Sequence, residues 1–439
     1  MQLKVVKFGG SSLADAEHFK RVSDIIQADP ARRYVVASAP GKRERDDEKV
    51  TDMLFNCYNM IRAREDITEY YEQIKNRYIS IIEGLGLSFD ISGELEYIKN
   101  AMMARSGRDY AASRGEYLNS LILAKYLGYD FVDAENVIFF KENGEFDEEK
   151  TNTAMKEELS KHSHAVIPGF YGTMPNGTIR TFSRGGSDIT GAIVARAVGA
   201  DLYENWTDVS GFMMADPKVV EDALPISLIT YRELRELSYN GATVLHEDSI
   251  FPVQKEGIAI NIRNTNHPED KGTLIVPVAT DYESKHVITG IAGKKGFSVI
   301  NIEKNRMGSE FGFASRVFNC LDQYEIHTEH LASGIDSMSH IVHTADLNYK
   351  IDELIPELHR ITDADNITVD TGLALVAVVG RGMKETKGTA ARIFEAISNA
   401  GVNVRMIDQG ASELNIVITV YECDYEKTIK AIYDEFVND

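Results

Sequence analysis

Lys7 stands two residues ahead of the glycine pair Gly9–Gly10 in VVKFGGSS, residues 5–12. An ammonium neutralises phosphoryl oxygens, and exposed glycine N–H groups let an anion approach the backbone closely, so the stretch points to phosphate. It is not a Walker A loop: no G-x-x-x-x-G-K-[ST] occurs in the chain, and here the lysine precedes the glycines. Taken alone, the same letters also fit a strand that ends in a glycine turn with a solvated lysine. Further along, SRGE (113–116) contains Glu116, and TFSRGGSDITGA (181–192) places Arg184 before a glycine turn that opens a helical run at Ser187 and Asp188. A planar guanidinium suits a carboxylate and a glutamate suits an ammonium, the two charges of an α-amino acid, although isolated residues of these types also form plain surface ion pairs. Ser187 and Asp188 also fit a helix N-cap pattern, a role compatible with chemistry.

These residues need elements to hold them. LKVVKF and RYVVASAP read as short apolar strands, and HFKRVSDIIQ between them has helical spacing, so the chain opens β-α-β. That order predicts a parallel sheet with its ligand site at the carboxyl ends of the strands. A charged, mostly helical region runs from about Lys49 to Leu127, entered through the polar insert GKRERDDEK. DFVDAENVIFF and HAVIPGFYG read as strands, MPNGT as a turn, and GGSDITGAIVARAVGA as a helix whose small residues allow close packing on a sheet. The spacing predicts a first α/β domain over 1–285.

Composition narrows the partners. The 439 residues are 43% apolar and 26% charged, which is ordinary for a soluble globular chain, and the length allows two or three domains. A net charge of −21 argues against nucleic acid and anionic membranes, so a bound phosphate needs a local basic cluster. No apolar run approaches membrane-spanning length and no signal-peptide pattern opens the chain, which gives the expectation of a cytoplasmic protein. Cys57, Cys320 and Cys423 have neither disulfide-framework nor metal-ligand spacing, and no residue is assigned to a metal.

The C-terminal part repeats itself. RVFNCLDQYEIHTEHLASGIDSMSHIV from Arg316 and RIFEAISNAGVNVRMIDQGASELNIVI from Arg392 match without a gap at an offset of 76. Phe318 pairs with Phe394, Leu321 with Ile397, Ile326 with Val402 and Gly334 with Gly410. Each copy reads strand, helix, strand, strand, helix, which predicts two α+β modules, 296–370 and 371–439, the second completed by a strand at 286–294.

In this order KFGGSS, SAPG, SRGE, TFSRGGSDITGA and ENWTDVSGFMMADPKVV resemble the aspartate kinase family of the amino-acid kinase superfamily, and the repeat resembles its paired ACT modules. The resemblance covers nearly the whole chain. It implies an α/β fold with a carbamate-kinase-like open sheet followed by two ACT-type modules. It further implies transfer of the ATP γ-phosphoryl group, with Mg2+, to the side-chain carboxylate of L-aspartate, the first step of lysine, threonine and methionine biosynthesis. On the matched positions, Lys7 meets the γ-phosphoryl and Asp188 orients Lys7 or the metal shell. Ser38, Thr51, Glu116, Arg184, Gly185 and Ser187 face the amino acid, with Arg184 on its α-carboxylate and Glu116 on its ammonium. Gly9, Gly10, Ser11, Thr207, Asp208, Met213 and Lys218 face the nucleotide. Met307, Gly312, Phe313, Ala314 and Asp336 form the effector loop, L-lysine is the implied feedback effector, and a homo-oligomer through the ACT modules is implied.

The chain departs from the family pattern at three places. Met213 stands where a tyrosine is frequent, GATVLHED with Thr243 and Glu247 replaces G-A-K-V-L-H-P, and FSRGGSD lacks a leading L-G. These read as retuned ATP affinity. Two alternatives stay open: a catalytically silent amino-acid sensor that works through the ACT pair, and a related kinase with another acidic substrate. Lys7, Glu116, Arg184 and Asp188 together weigh against the silent sensor. GRGMKETKG lacks the third glycine of a dinucleotide fingerprint, and the absence of an appended G-x-G-x-x-G domain gives the expectation of a chain without a fused homoserine dehydrogenase.

Overall fold

A computed structural model describes residues 2–104, 106–183, 185–242, 245, 249–278 and 286–437. The chain gathers in two compact units: Met1–Phe212, Pro225–Tyr231 and Thr243–Thr280 form one, and Met213–Leu224, Arg232–Ala242 and Asp281–Asp439 the other.

The first unit is built on strands β1 (Lys4–Phe8), β2 (Arg32–Ala37), β3 (Asp130–Phe131), β4 (Ala165–Pro168), β5 (Tyr171–Thr173), β6 (Ile179–Thr181), β7 (Leu202–Thr207), β8 (Leu228–Thr230), β9 (Ala259–Asn264) and β10 (Thr273–Val276). Eight of them make one sheet in the order β3-β4-β2-β1-β7-β9-β10-β8, while β5 and β6 form a hairpin closed by the MPNGT turn, with Gly177 at φ +79°. Val5, Val6, Val35 and Val36 are fully buried, as expected for central strands covered on both faces. The sheet is mixed rather than wholly parallel, because β10 runs antiparallel to β9. The short link between those strands is too brief for a crossover and reverses the chain instead.

The helices of this unit include α1 (Ala16–Gln27), α2 (Val50–Ala63), α3 (Thr68–Gly84), α4 (Ser92–Met103), α5 (Arg108–Leu127), α6 (Glu148–Leu159) and α7 (Gly186–Val198). Asp15 caps α1 by accepting from the His18 N–H, and Phe19, Val22, Ile25 and Ile26 make its buried face. Ile74, Tyr78, Leu118 and Ile122 join α3 and α5 in one apolar core with β1 and β2. On α7, a side chain at Gly191 would collide with the Tyr203 ring, so the glycine sets the distance between helix and sheet. DFVDAENVIFF is not one strand. After Phe131, Asp133 accepts from the Glu135 N–H and tightens Ala134–Asn136 into a 3-10 turn, leaving isolated bridges at Phe139 and Phe140.

The second unit holds β11 (Gly290–Glu303), α8 (Phe313–Gln323), β12 (Thr328–Ser333), β13 (Ser337–His343), α9 (Ile351–Thr362), β14 (Asn366–Val379), α10 (Thr389–Asn399), β15 (Met406–Asp408), β16 (Asn415–Tyr421) and α11 (Tyr425–Val437). The 76-residue offset recurs in the starts of β11 and β14, at 290 and 366, and of α8 and α10, at 313 and 389. One sheet runs β12-β13-β11-β14-β16-β15. Its two central strands are long and each serves both repeats. Val299–Glu303 of β11 pair with Asn366–Asp370 of β14, and beyond a register break at Gly296, Gly290–Lys295 pair with Ala374–Val379. Two segments from the middle of the chain also belong to this unit: the Ile291 N–H donates to the Met214 carbonyl, and Glu233 binds Arg381 and the Thr289 hydroxyl. No helix among the described residues is long and apolar enough to cross a membrane.

Candidate active site

Lys7 is the next-to-last residue of the buried run of β1, with its ammonium at the carboxyl edge of the sheet beside Gly9. Its Nζ lies 2.5 Å from Asp188 Oδ1, and both side chains are largely buried. Asp188 does not cap its helix. Gly185, left-handed at φ +57°, holds the N-cap position and puts Asp188 in the first turn of α7, where its carboxylate turns to Lys7 instead of its own backbone. Asn205, buried on β7, joins the pair: its carbonyl accepts from Lys7 Nζ at 3.3 Å and its amide donates to Asp188 Oδ1 at 2.9 Å.

The glycine turn divides its work differently from the sequence expectation. The Gly9 N–H is taken by the Trp206 carbonyl at 3.0 Å, because the parallel register of β1 and β7 extends past the last strand residue. Gly10 and Ser11 open a 3-10 turn, and their N–H groups have no partner among the described residues. Gly10 has no room for a side chain, since a Cβ there would sit 2.8 Å from the Ala39 carbonyl and 3.2 Å from the Gly41 nitrogen. Arg77 of α3 fastens this turn from behind, donating to the carbonyls of Ala14 and Gly41 while pairing with Asp47 at 2.7 Å. The Arg43 and Arg77 guanidinia hold the Asp47 carboxyl far below the ordinary carboxylate range. The GKRERDDEK insert is therefore fixed by the Arg43–Asp47 pair within it and by Arg77 from α3. Sequence reasoning missed Arg77 and Asn205, since their partners lie far away in the chain.

Glu116 sits on α5 behind Ala39, with one carboxylate oxygen buried and unpartnered. Burial pushes its pKa up to about 8, against a smaller opposing pull from the Ala39 backbone N–H. A Cβ on Gly115 would lie 2.8 Å from Ala39 Cβ and 3.8 Å from Thr51 Oγ1, so Thr51 stands beside the same turn. The Ser38 carbonyl accepts from Asn119, and Ser187 packs against Gly169 at the end of β4. Thr207 ends β7 and Asp208 follows it, with the Thr207 hydroxyl donating to Asp208 at 3.2 Å. Met213 and Lys218 belong to the second unit, in a stretch where Leu224 N–H donates to Tyr433 Oη. Arg184, Thr243 and Glu247 lie outside the described residues.

In the second unit, Met307 is buried in a 3-10 turn and Gly312, at φ +73°, is the N-cap of α8, which starts with the buried Phe313 and the half-buried Ala314. A Cβ at Gly312 would meet little, so the left-handed backbone and not crowding demands glycine there. Asp336 is exposed, and its carboxylate accepts from the Arg306 N–H at 2.7 Å.

A lysine beside an open glycine turn, at the carboxyl edge of a sheet and facing the first turn of a helix, is the arrangement of an amino-acid kinase. Residues 2–264 match the Amino acid kinase family and residues 376–436 match the ACT domain. Full-length similarity is narrower than that class. The chain is 37% identical to Aspartokinase 3 of Bacillus subtilis over 453 residues, covering 99% of this chain and 98% of that one. Among solved structures, the aspartate kinase of Clostridium acetobutylicum superposes with a TM-score of 0.92 at 49% identity, covering 99% of this chain and 100% of that one. Aspartokinase III of E. coli, in complex with aspartate and ADP, gives 0.77 at 26% identity, with 99% of each chain covered. The chain belongs to the aspartokinase family.

Proposed function

We propose that this chain transfers the γ-phosphoryl group of ATP to the side-chain carboxylate of L-aspartate, giving 4-phospho-L-aspartate and ADP. The observation that carries the reading is the buried Lys7–Asp188 pair beside the free N–H groups of Gly10 and Ser11. Phosphoryl transfer needs positioning and charge stabilisation more than covalent help, and a fixed ammonium next to backbone donors supplies both. The attacking carboxylate, with an ordinary pKa of about 4, is ionised at neutral pH and requires no general base. Asp188 then orients Lys7. Glu116 receives the substrate ammonium and Arg184 its α-carboxylate, with Ser38, Thr51, Gly185 and Ser187 around them. Thr207 and Asp208 serve the nucleotide. Mg2+ enters as part of MgATP, held chiefly by phosphate oxygens.

The ACT pair binds an amino-acid effector, L-lysine in our reading, at the Met307–Ala314 loop and Asp336, and shifts the kinase equilibrium by differential binding. Phe311 within that loop and Ile335 beside it, 98% and 81% exposed, support assembly into a homo-oligomer. A reaction that consumes ATP and free L-aspartate is compatible with the cytoplasmic location expected from the sequence. The test is ADP release in a coupled assay with L-aspartate, then with L-glutamate, with the acyl phosphate trapped by hydroxylamine. Turnover only with aspartate is expected. Absence of any acceptor-dependent turnover leaves the silent sensor, and equal turnover with glutamate overturns the substrate.

A further inference from the structure

Asn205 is a polar side chain in the middle of a central strand, 3% exposed, where an apolar residue would ordinarily stand. It lies directly beside Lys7 in the parallel register of β1 and β7, so its position is set by the sheet itself. Its amide makes two complementary contacts, accepting from Lys7 Nζ and donating to Asp188 Oδ1. The orientation is determined by its neighbours, since a reversed amide would aim its NH2 at the ammonium and its oxygen at the carboxylate.

We infer that Asn205 is a positioning residue for phosphoryl transfer: it holds Lys7 and Asp188 in one geometry without neutralising either. The inference rests on the roles proposed above for that pair. A lysine ammonium has three protons on a flexible stem, and Asp188 alone fixes only one of them. The Asn205 carbonyl engages a second proton and leaves the third to meet a phosphoryl oxygen. Because the amide is uncharged, the ammonium keeps more of its field for the transferring group than it would between two carboxylates. Donation from Asn205 to Asp188 Oδ1 meanwhile keeps that oxygen on the Lys7 side, with the Tyr203 hydroxyl holding the Asp188 backbone carbonyl at 3.1 Å.

The test compares Asn205→Leu, similar in size without polar atoms, with Asn205→Asp, which keeps the shape and the acceptor but replaces the donor by a charge. Lys7→Ala is measured alongside, and thermal melts check that each variant is folded. Steady-state ADP release is expected to show kcat at least tenfold lower in both Asn205 variants. KM for aspartate and for ATP should stay within about threefold of the parent, because an interaction made through Lys7 in the transition state is lost and ground-state binding is not. A packing role would leave Asn205→Leu, similar in size and uncharged, near the parent in kcat. If both variants keep kcat within twofold while Lys7→Ala is inactive, the inference fails and the reading of Lys7 stands. If the loss falls on the aspartate KM alone, Asn205 contacts substrate and the inference also fails. If Lys7→Ala itself turns over normally, the reading beneath is wrong and the inference falls with it.

Discussion

The aspartate KM should depend on pH through Glu116. In the free protein its carboxyl is held near a pKa of about 8 by burial, so most molecules at neutral pH carry it protonated. Only the carboxylate can receive a substrate ammonium, and the apparent dissociation constant scales with 1 + 10^(pKa − pH). That factor is about 30 at pH 6.5 and about 1.3 at pH 8.5, so aspartate should bind roughly 25-fold more tightly at the upper value. The ATP KM should not follow, since Glu116 does not serve the nucleotide. The assay is initial-rate ADP release at saturating MgATP across pH 6.5–8.5, with Glu116→Gln as the reference that cannot titrate. Its aspartate KM should be higher than the parent's at pH 8.5 and flat with pH. A parental KM that is flat over the same range refutes the assignment of Glu116 to the ammonium. Linkage gives a second readout. The folded pKa lies above the unfolded one, so the associated stability is present below about 4.5 and is lost as pH rises through about 8.

Three further outcomes are expected. Lys7→Ala should lower kcat by about a thousandfold, the loss typical when one transition-state donor is removed, with little change in thermal midpoint; near-normal turnover refutes its role. Arg184→Ala should raise the aspartate KM by roughly 30-fold, equivalent to about 2 kcal/mol for a charged hydrogen bond, and leave the ATP KM nearly unchanged. An equal effect on both substrates moves Arg184 out of the aspartate site. Gly312→Val forces a β-branched residue into a left-handed N-cap, so a lysine titration at fixed aspartate and ATP should shift to at least tenfold higher concentration. Superimposed curves place the effector elsewhere.

What the sequence disclosed was local or periodic. The glycine turn, the helix opened by GGSD and the 76-residue repeat all follow from spacing, and the repeat's strands and helices start at matching places. What it concealed depends on side chains that meet across the chain. Lys7 and Asn205 are 198 residues apart, and WTDV drew attention while the preceding Glu204 and Asn205 did not. Those two point to opposite faces of β7, Asn205 to Lys7 and Glu204 to Arg32 and the Trp206 indole, both fully committed inside the sheet. Arg77 reads as an ordinary helix-surface charge until the Ala14 and Gly41 carbonyls are seen around it. The Gly9 N–H was misjudged for the same reason: only strand register decides that Trp206 takes it.

The shared central strands of the C-terminal sheet carry a consequence for how that half of the chain is synthesised and how it could have evolved. Gly290–Lys295 find their partners in Ala374–Val379, so these residues leave the ribosome roughly 80 positions before anything can pair with them on that side. The first repeat can close on itself once Asp370 has emerged, whereas the second is completed by a strand already waiting. Non-local pairing of this kind is expected to slow folding and to join both repeats in one cooperative unfolding transition. A chain shortened after the first repeat would leave half of β11 as a bare edge open to pairing with another copy. Loss of either module would strip the other of part of its strand pairing, so the two are expected to be kept or lost together.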